Sequence, residues 1–270
     1  MTQPSPSATR SAPGATRAVV LVTGAARRIG REIALDLAAH GFDVAVHYRG
    51  EAAEALDTVA ELHALGAAAH AFQADLADEA ACRELLPQVI ARFGRVDAVV
   101  NNASAFEYDA PASFGHASME LHWRANTAPA VILAQALHEH RRGSTEPACV
   151  VNLLDQKLWN PNPDYFSYTL SKAALQAATV MLAQALAPRV RVCGVAPGVT
   201  LVSGPMSESE FARAHTLTPL QRSSTPADIA RSVRFLIESP AITGTTLLVD
   251  GGQHLLGQPR DVMFLAQGTP

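Results

Sequence analysis

Hydrophobic positions along the chain fall into two alternating patterns. Short, largely apolar runs recur at Arg17–Val22, Asp43–Arg49, Ala67–Gln73, Val96–Val100, Ala148–Leu154, Val190–Val195 and Thr245–Val249. Runs with no polar face read as strands buried on both sides. Between them the spacing changes to three and four, as in Ile33, Ala34, Leu37 and Ala38. That spacing, in segments 51–65, 78–93, 118–140 and the stretch after Tyr168, predicts helices. Asp78 is placed to cap one of them. Thr225, followed by Pro226 and Asp228, is a start signal for the helix after residue 225. Strands alternating with helices throughout predict an α/β fold: one Rossmann-type domain, a doubly wound parallel sheet with right-handed crossovers and helices on both faces.

No linker or repeat interrupts residues 17–270, which are expected to form a single domain that includes a substrate loop at 199–224. Residues 1–16 hold no acid and no large apolar side chain beyond Met1, the composition of a disordered tail. A transit peptide would need an amphipathic face that they lack.

Composition narrows the function classes. The chain has 270 residues, is 48% hydrophobic and 17% charged, and carries a formal charge of −4 with 21 Lys and Arg. Such a balance leaves no electrostatic footprint for nucleic acid or an anionic membrane. No apolar run reaches the length of a membrane span. The ten histidines show no ligand spacing, and no metal site is expected. Cys82, Cys149 and Cys193 are isolated and read as core residues of a cytoplasmic, reducing environment.

Candidate chemistry begins at Thr23-Gly24-Ala25-Ala26-Arg27-Arg28-Ile29-Gly30, between the first strand and first helix. A glycine turn there lets backbone N–H groups approach a pyrophosphate, although a simple tight turn would also fit so loose a pattern. The second strand ends in His47-Tyr48-Arg49, without the acid that would bind a ribose 2′-hydroxyl. Donors and a cation suit a 2′-phosphate, hence NADP(H) over NAD(H), with Glu51 nearby as a counterweight. Tyr168 and Lys172 are four apart, on one helix face. A phenol has a pKa of about 10, and lowering it by about three units requires about 4 kcal/mol of preferential phenolate stabilisation. An ammonium beside it would supply part of that. A half-buried aromatic with a snorkelling lysine is the alternative for such a pair alone.

Taken together, Thr23-Gly24…Ile29-Gly30, Asp75-Leu76, Asn101-Asn102-Ala103, Asn126, Tyr168-x-x-x-Lys172, Pro197-Gly198 and Asp250-Gly251-Gly252 resemble the short-chain dehydrogenase/reductase family over roughly residues 17 to 255. The resemblance implies that Lys172 binds the nicotinamide ribose and lowers the Tyr168 pKa. It also implies that Asn126 holds a helix kink and a relay water, that Pro197-Gly198 and Thr200 border the nicotinamide, and that Asp75, Leu76, Asn102 and Ala103 line the cofactor.

Where the family places a serine thirteen residues before the tyrosine, this chain has Asp155. An ionised carboxylate only accepts hydrogen bonds and would repel a developing alkoxide. It suits a substrate that offers N–H groups. With Arg28, His47-Tyr48, Ser104 and Phe106, this substitution resembles the pteridine reductase branch. That likeness implies a pterin or folate-like small-molecule substrate stacked on Phe106, with Arg28 and Ser104 contacting cofactor phosphate and substrate edge. Trp159, Pro161 and Pro163 are expected either to form a further wall or to serve simply as rigid packing. The apolar segment 255–265 is expected, by the same likeness, to help build a homotetramer. Two rivals remain open: a carbonyl or 3-oxoacyl-thioester reductase, and a silent NADP(H)-binding sensor or scaffold.

Overall fold

The computed structural model describes residues 17–50, 52–203 and 206–266. The expected disordered tail at 1–16, Glu51 and the Gly204-Pro205 part of the substrate loop lie outside the described residues. Seven strands form one parallel sheet: β1 (Val19–Val22), β2 (Asp43–Tyr48), β3 (Ala69–Gln73), β4 (Ala98–Asn101), β5 (Ala148–Leu153), β6 (Val190–Pro197) and β7 (Thr246–Val249). Their order is β3-β2-β1-β4-β5-β6-β7, and every neighbouring pair runs parallel. The chain reverses its direction of winding between β1 and β4, which opens a crevice at the carboxyl ends of these strands.

Strand alternation explains why the strands look apolar throughout. Val20, Val22, Val44, Val46, Cys149 and Val151 face one core, packed with Ile33 and Leu37 of α1 (Arg28–Ala39), Leu62 of α2 (Ala53–Ala64) and Ile229, Val233 and Leu236 of α8 (Pro226–Glu238). Val19, Leu21, Ala45, Val99, Val150 and Val192 face the other. There they meet Leu85 and Val89 of α3 (Glu79–Phe93), Leu133 and Leu137 of α5 (Ala128–His140) and Ala183 of α6 (Phe166–Ala185). Both faces of the central strands are covered, so these strands are mainly apolar on both sides. The three cysteines are buried and free. Asp78 caps α3 through the Ala81 N–H, and Thr225 with Asp228 forms a capping box on α8. Among the described residues no helix is long and apolar enough to cross a membrane.

One expectation needs correction. The long helix expected over 118–140 is three pieces: α4 (His116–His122), a π-helical turn at Trp123–Thr127, and α5. Asn126 lies inside the π turn because its amide bonds sideways to another loop, which periodicity cannot reveal. The substrate loop carries a full helix, α7 (Glu208–Thr216), started by a Ser207/Glu210 capping box. The apolar C-terminal segment is partly tucked in: Val262, Met263 and Ala266 of α9 (Val262–Ala266) are buried, whereas Leu255 and Leu256 stay exposed.

Candidate active site

At the end of β1 the chain turns at Gly24 (φ +62°), a left-handed conformation that glycine adopts without strain. The turn is pinned from three strands. Thr23 Oγ1 accepts the N–H groups of Asn102 (2.9 Å) and Ala103 (3.0 Å), and Asn102 Nδ2 donates to the Thr23 and Gly24 carbonyls. A Cβ at Gly30 would stand 2.5 Å from Asn102 Nδ2, so this helical position has room for hydrogen only. No side chain caps α1, which leaves its leading N–H groups to a ligand. These features fit a nucleotide pyrophosphate.

His47 departs from its expected part as a donor to a 2′-phosphate. It is 2% exposed, accepts the Gly24 N–H at Nδ1 (3.0 Å) and bonds the Ala74 carbonyl through Nε2 (3.1 Å). Burial pushes its pKa down to about 4, and both ring nitrogens are spent on backbone. Tyr48 is half-buried and Arg49 exposed at the end of β2, so Arg49 is the cation available there. Asp75 is exposed and bonds the Ala77 N–H. The Leu76 side chain packs in the core with Phe72 and Leu85, leaving only its backbone for a cofactor.

A cavity of about 280 Å³ opens beyond these strand ends. It gathers many of the expected residues: Arg28, Ile29, Asn102, Ser104, Phe106, Asp155, Tyr168, Lys172, Pro197, Gly198 and Thr200. Gly198 is held tightly, because a Cβ there would stand 2.6 Å from Ser223 Oγ and 2.8 Å from Asp250 Cβ. Thr200 is buried and bonds Gly198 O and Ser224. Arg28, at φ +56°, reaches the substrate loop through Val202 O (2.9 Å) and Ser203 Oγ (3.0 Å).

Tyr168 and Asp155 meet inside the cavity: the phenol donates to Asp155 Oδ2 at 2.8 Å, and Oδ1 accepts the Lys157 N–H at 2.8 Å. Lys172 is buried, lies 5.8 Å from the Tyr168 ring centroid and donates to Leu153 O at 2.7 Å. Burial lowers its pKa to about 8. The expectation that the lysine depresses the phenol is reversed in this state: burial, then the neighbouring Asp155, push Tyr168 well above an ordinary phenol. Burial also raises Asp155, against the pull of its hydrogen bonds from Lys157 and Tyr168. Tyr168 is thus the donor in the bond that joins two buried groups, each held above its ordinary pKa.

Asn126 spends its whole amide locally. Its Oδ1 accepts the Ala105 N–H (2.7 Å) and the Ser104 hydroxyl (3.1 Å), while Nδ2 donates to Ala105 O and Ser171 Oγ. Protein groups thereby take up both ends of this side chain. Phe106 stacks on Tyr165 (4.1 Å, 13°) and meets Tyr168 edge-on at 4.7 Å. Tyr165 was not singled out from the sequence; it sits at φ +52° before α6 without capping that helix. Asp109 does so instead, accepting the Ser167 N–H at 2.9 Å. Trp159, Pro161 and Pro163 are exposed and do not line the cavity; Gln156 and Lys157 form that wall. Asp261 and Met263 close the far side. Only the Ser-x-x-Glu signal before α7 was open to a sequence reader; Lys157, Tyr165 and Asp261 carry no local signature.

A family model described as Enoyl-(Acyl carrier protein) reductase matches residues 24–254. The structure of FolM alternative dihydrofolate reductase 1 from Brucella canis, complexed with NADP, is 41% identical with a TM-score of 0.83, covering 88% of this chain and 95% of that one. Its counterpart from Brucella suis, also in complex with NADP, is 40% identical at TM-score 0.83, covering 91% and 98%. The 3-oxoacyl-[acyl-carrier-protein] reductase FabG of Staphylococcus epidermidis is 32% identical over 240 residues, 87% of this chain and 98% of that protein.

Proposed function

The chain belongs to the short-chain dehydrogenase/reductase family, and from that we propose that it is an NADPH-dependent reductase acting on a C=N bond of a dihydropterin or dihydrofolate-like substrate. When bound, the nicotinamide supplies the hydride. The turn from Gly24 to Gly30 and the N-terminus of α1 hold the pyrophosphate, with Asn102, Ala103 and the Asp75-Leu76 backbone along the nucleotide. Lys172 holds the nicotinamide ribose. Arg49 takes the 2′-phosphate. Pro197, Gly198 and Thr200 border the carboxamide. On the substrate side, Phe106 covers the ring, and Arg28 and Ser104 contact its edge. Asp155 accepts N–H groups of the substrate, and Tyr168 passes its proton toward the reduced nitrogen. Asn126 keeps the π turn and the Ser104 loop together. The complement of NADP in the Brucella FolM structures supports the cofactor choice.

One observation carries the substrate choice: Asp155 shares a 2.8 Å hydrogen bond with Tyr168 in the cavity. Reduction of a ketone builds negative charge on oxygen, which a carboxylate there opposes. Reduction of an imine leaves a nitrogen that needs a proton and a ring whose N–H groups need acceptors. The FabG relatives favour the rival, a 3-oxoacyl-thioester reductase. Steady-state NADPH oxidation with dihydrobiopterin, dihydromonapterin, dihydrofolate and a 3-oxoacyl thioester separates them. Pterin turnover is expected, lost in Tyr168→Phe and reduced at least tenfold in Asp155→Ser, with NADPH binding retained. Turnover of the thioester alone would overturn the assignment. NADPH binding without turnover of any of these would favour the sensor or scaffold.

A cytoplasmic homotetramer is part of this proposal. The free, buried cysteines suit a reducing compartment, which cell fractionation would check. Leu121, Trp123, Leu170, Val180 and Met181 give α4, the π turn and α6 an exposed apolar surface suited to a second copy.

A further inference from the structure

Lys157 lies two residues past Asp155, on the 3₁₀ turn Gln156–Trp159. Its backbone N–H supports Asp155 Oδ1, yet its ammonium is bound elsewhere. It is 4% exposed, donates to Asp164 O at 2.6 Å and pairs with Asp261 Oδ2 at 3.1 Å, across 104 residues of sequence. Asp261 is held in turn: its Oδ1 accepts the Met263 N–H, and its own N–H donates to Asp164, whose carboxylate also receives Arg260 at 2.9 Å. Lys157 and Asp261 line the same cavity as Asp155 and Tyr168.

A buried ion pair is poor value as a stabiliser, since desolvation offsets most of its attraction and an apolar pair of similar volume often serves as well. Its position suggests another use. We propose that Lys157 and Asp261 are positioning residues that set, through their opposite charges, how readily the Asp155–Tyr168 pair gives up its proton during reduction. This rests on the assignment of Asp155 and Tyr168 above, and it makes the C-terminal segment part of the active site.

Direction follows from charge. Lys157 favours the ionised form of Asp155, while Asp261 opposes it and also holds the Tyr168 phenol protonated. The other groups facing the pair are Lys172 from α6 and Arg28 from the glycine turn, which line the cavity, and His122 of α4, whose ring centroid is 6.2 Å from that of Tyr168. His122 has both nitrogens engaged, by Ser118 O and the Glu107 N–H. Lys157 and Asp261 are thus an opposed pair of charges whose separate removal should move the proton equilibrium in opposite directions.

The test compares pH profiles of kcat/KM for the wild-type enzyme, Lys157→Met, Asp261→Asn and the double variant. The limb on which activity falls as the proton is lost should move up by about one pH unit in Lys157→Met and down by about one in Asp261→Asn. The double variant should return close to the wild-type position, and Lys157→Arg, which keeps the charge, should restore it if Lys157→Met folds poorly. A structural role alone would lower rates without opposed shifts. Shifts in the same direction, or none, would overturn the proposal. A ¹³C-carboxyl NMR titration of Asp155 in the same proteins reads these directions without turnover. If the wild type reduces only the thioester, the pterin assignment fails, and the profiles taken on that substrate still decide this inference.

Discussion

His47 offers a prediction whose size can be worked from its surroundings. Replacing it with leucine leaves the Gly24 N–H and the Ala74 carbonyl without their ring partners in a site that is 2% exposed. Each buried orphan costs about 1–3 kcal/mol, so His47→Leu should lose roughly 2–6 kcal/mol at neutral pH. Protonation attacks the same bond, because an imidazolium has no lone pair left for Gly24. The folded-state pKa is lowered from 6.5 to about 4, so the unfolded chain binds the proton first. Stability from this residue is therefore fully present above pH 6.5 and is lost as pH falls from 6.5 to about 4. At about 1.4 kcal/mol per pH unit, the loss is roughly 3.5 kcal/mol. Urea unfolding of wild type and His47→Leu from pH 4 to pH 8 would measure it. The stability gap between them should narrow by that amount on acidification, and NADPH affinity should fall in parallel as the glycine turn loosens. A gap independent of pH would show that the ring does not hold Gly24 as described.

Gly30→Ala should gain about 1 kcal/mol of helix propensity and lose more to crowding, because its Cβ would stand 2.5 Å from Asn102 Nδ2. Weaker NADPH binding by fluorescence titration is the expected result, and unchanged affinity would refute the tight cradle. Light scattering should report a tetramer for the wild type, and Met181→Glu, at a position 61% exposed, should dissociate it without destabilising the subunit by more than about 1 kcal/mol. A monomeric wild type would remove the assembly from the proposal.

Much of the fold is legible in local pattern. The apolar runs at the centre of the sheet become strands because each is packed on both faces, and the three- and four-residue spacing of Ile33, Leu37 and their neighbours becomes a helix face. Asp78 and Thr225 cap their helices because a cap needs only the next turn of its own chain. Tyr168 and Lys172 share a face of α6 for the same reason. The π turn at Asn126 escapes this logic, since its cause is a partner 21 residues away.

By itself, then, the amino-acid order determined the periodicities, the caps, the glycine turn and the identity of the residue thirteen places before Tyr168. Tertiary structure alone decided what those groups experience. It buried His47 and removed it from the phosphate, sent the Lys172 proton to Leu153 O, laid Phe106 on Tyr165, and brought Asp261 to Lys157. Protonation and hydrogen-bond choice depend on solvent exclusion and on charges from distant segments, and these exist only once the strands have fixed their register and the C-terminal segment has closed over the cavity.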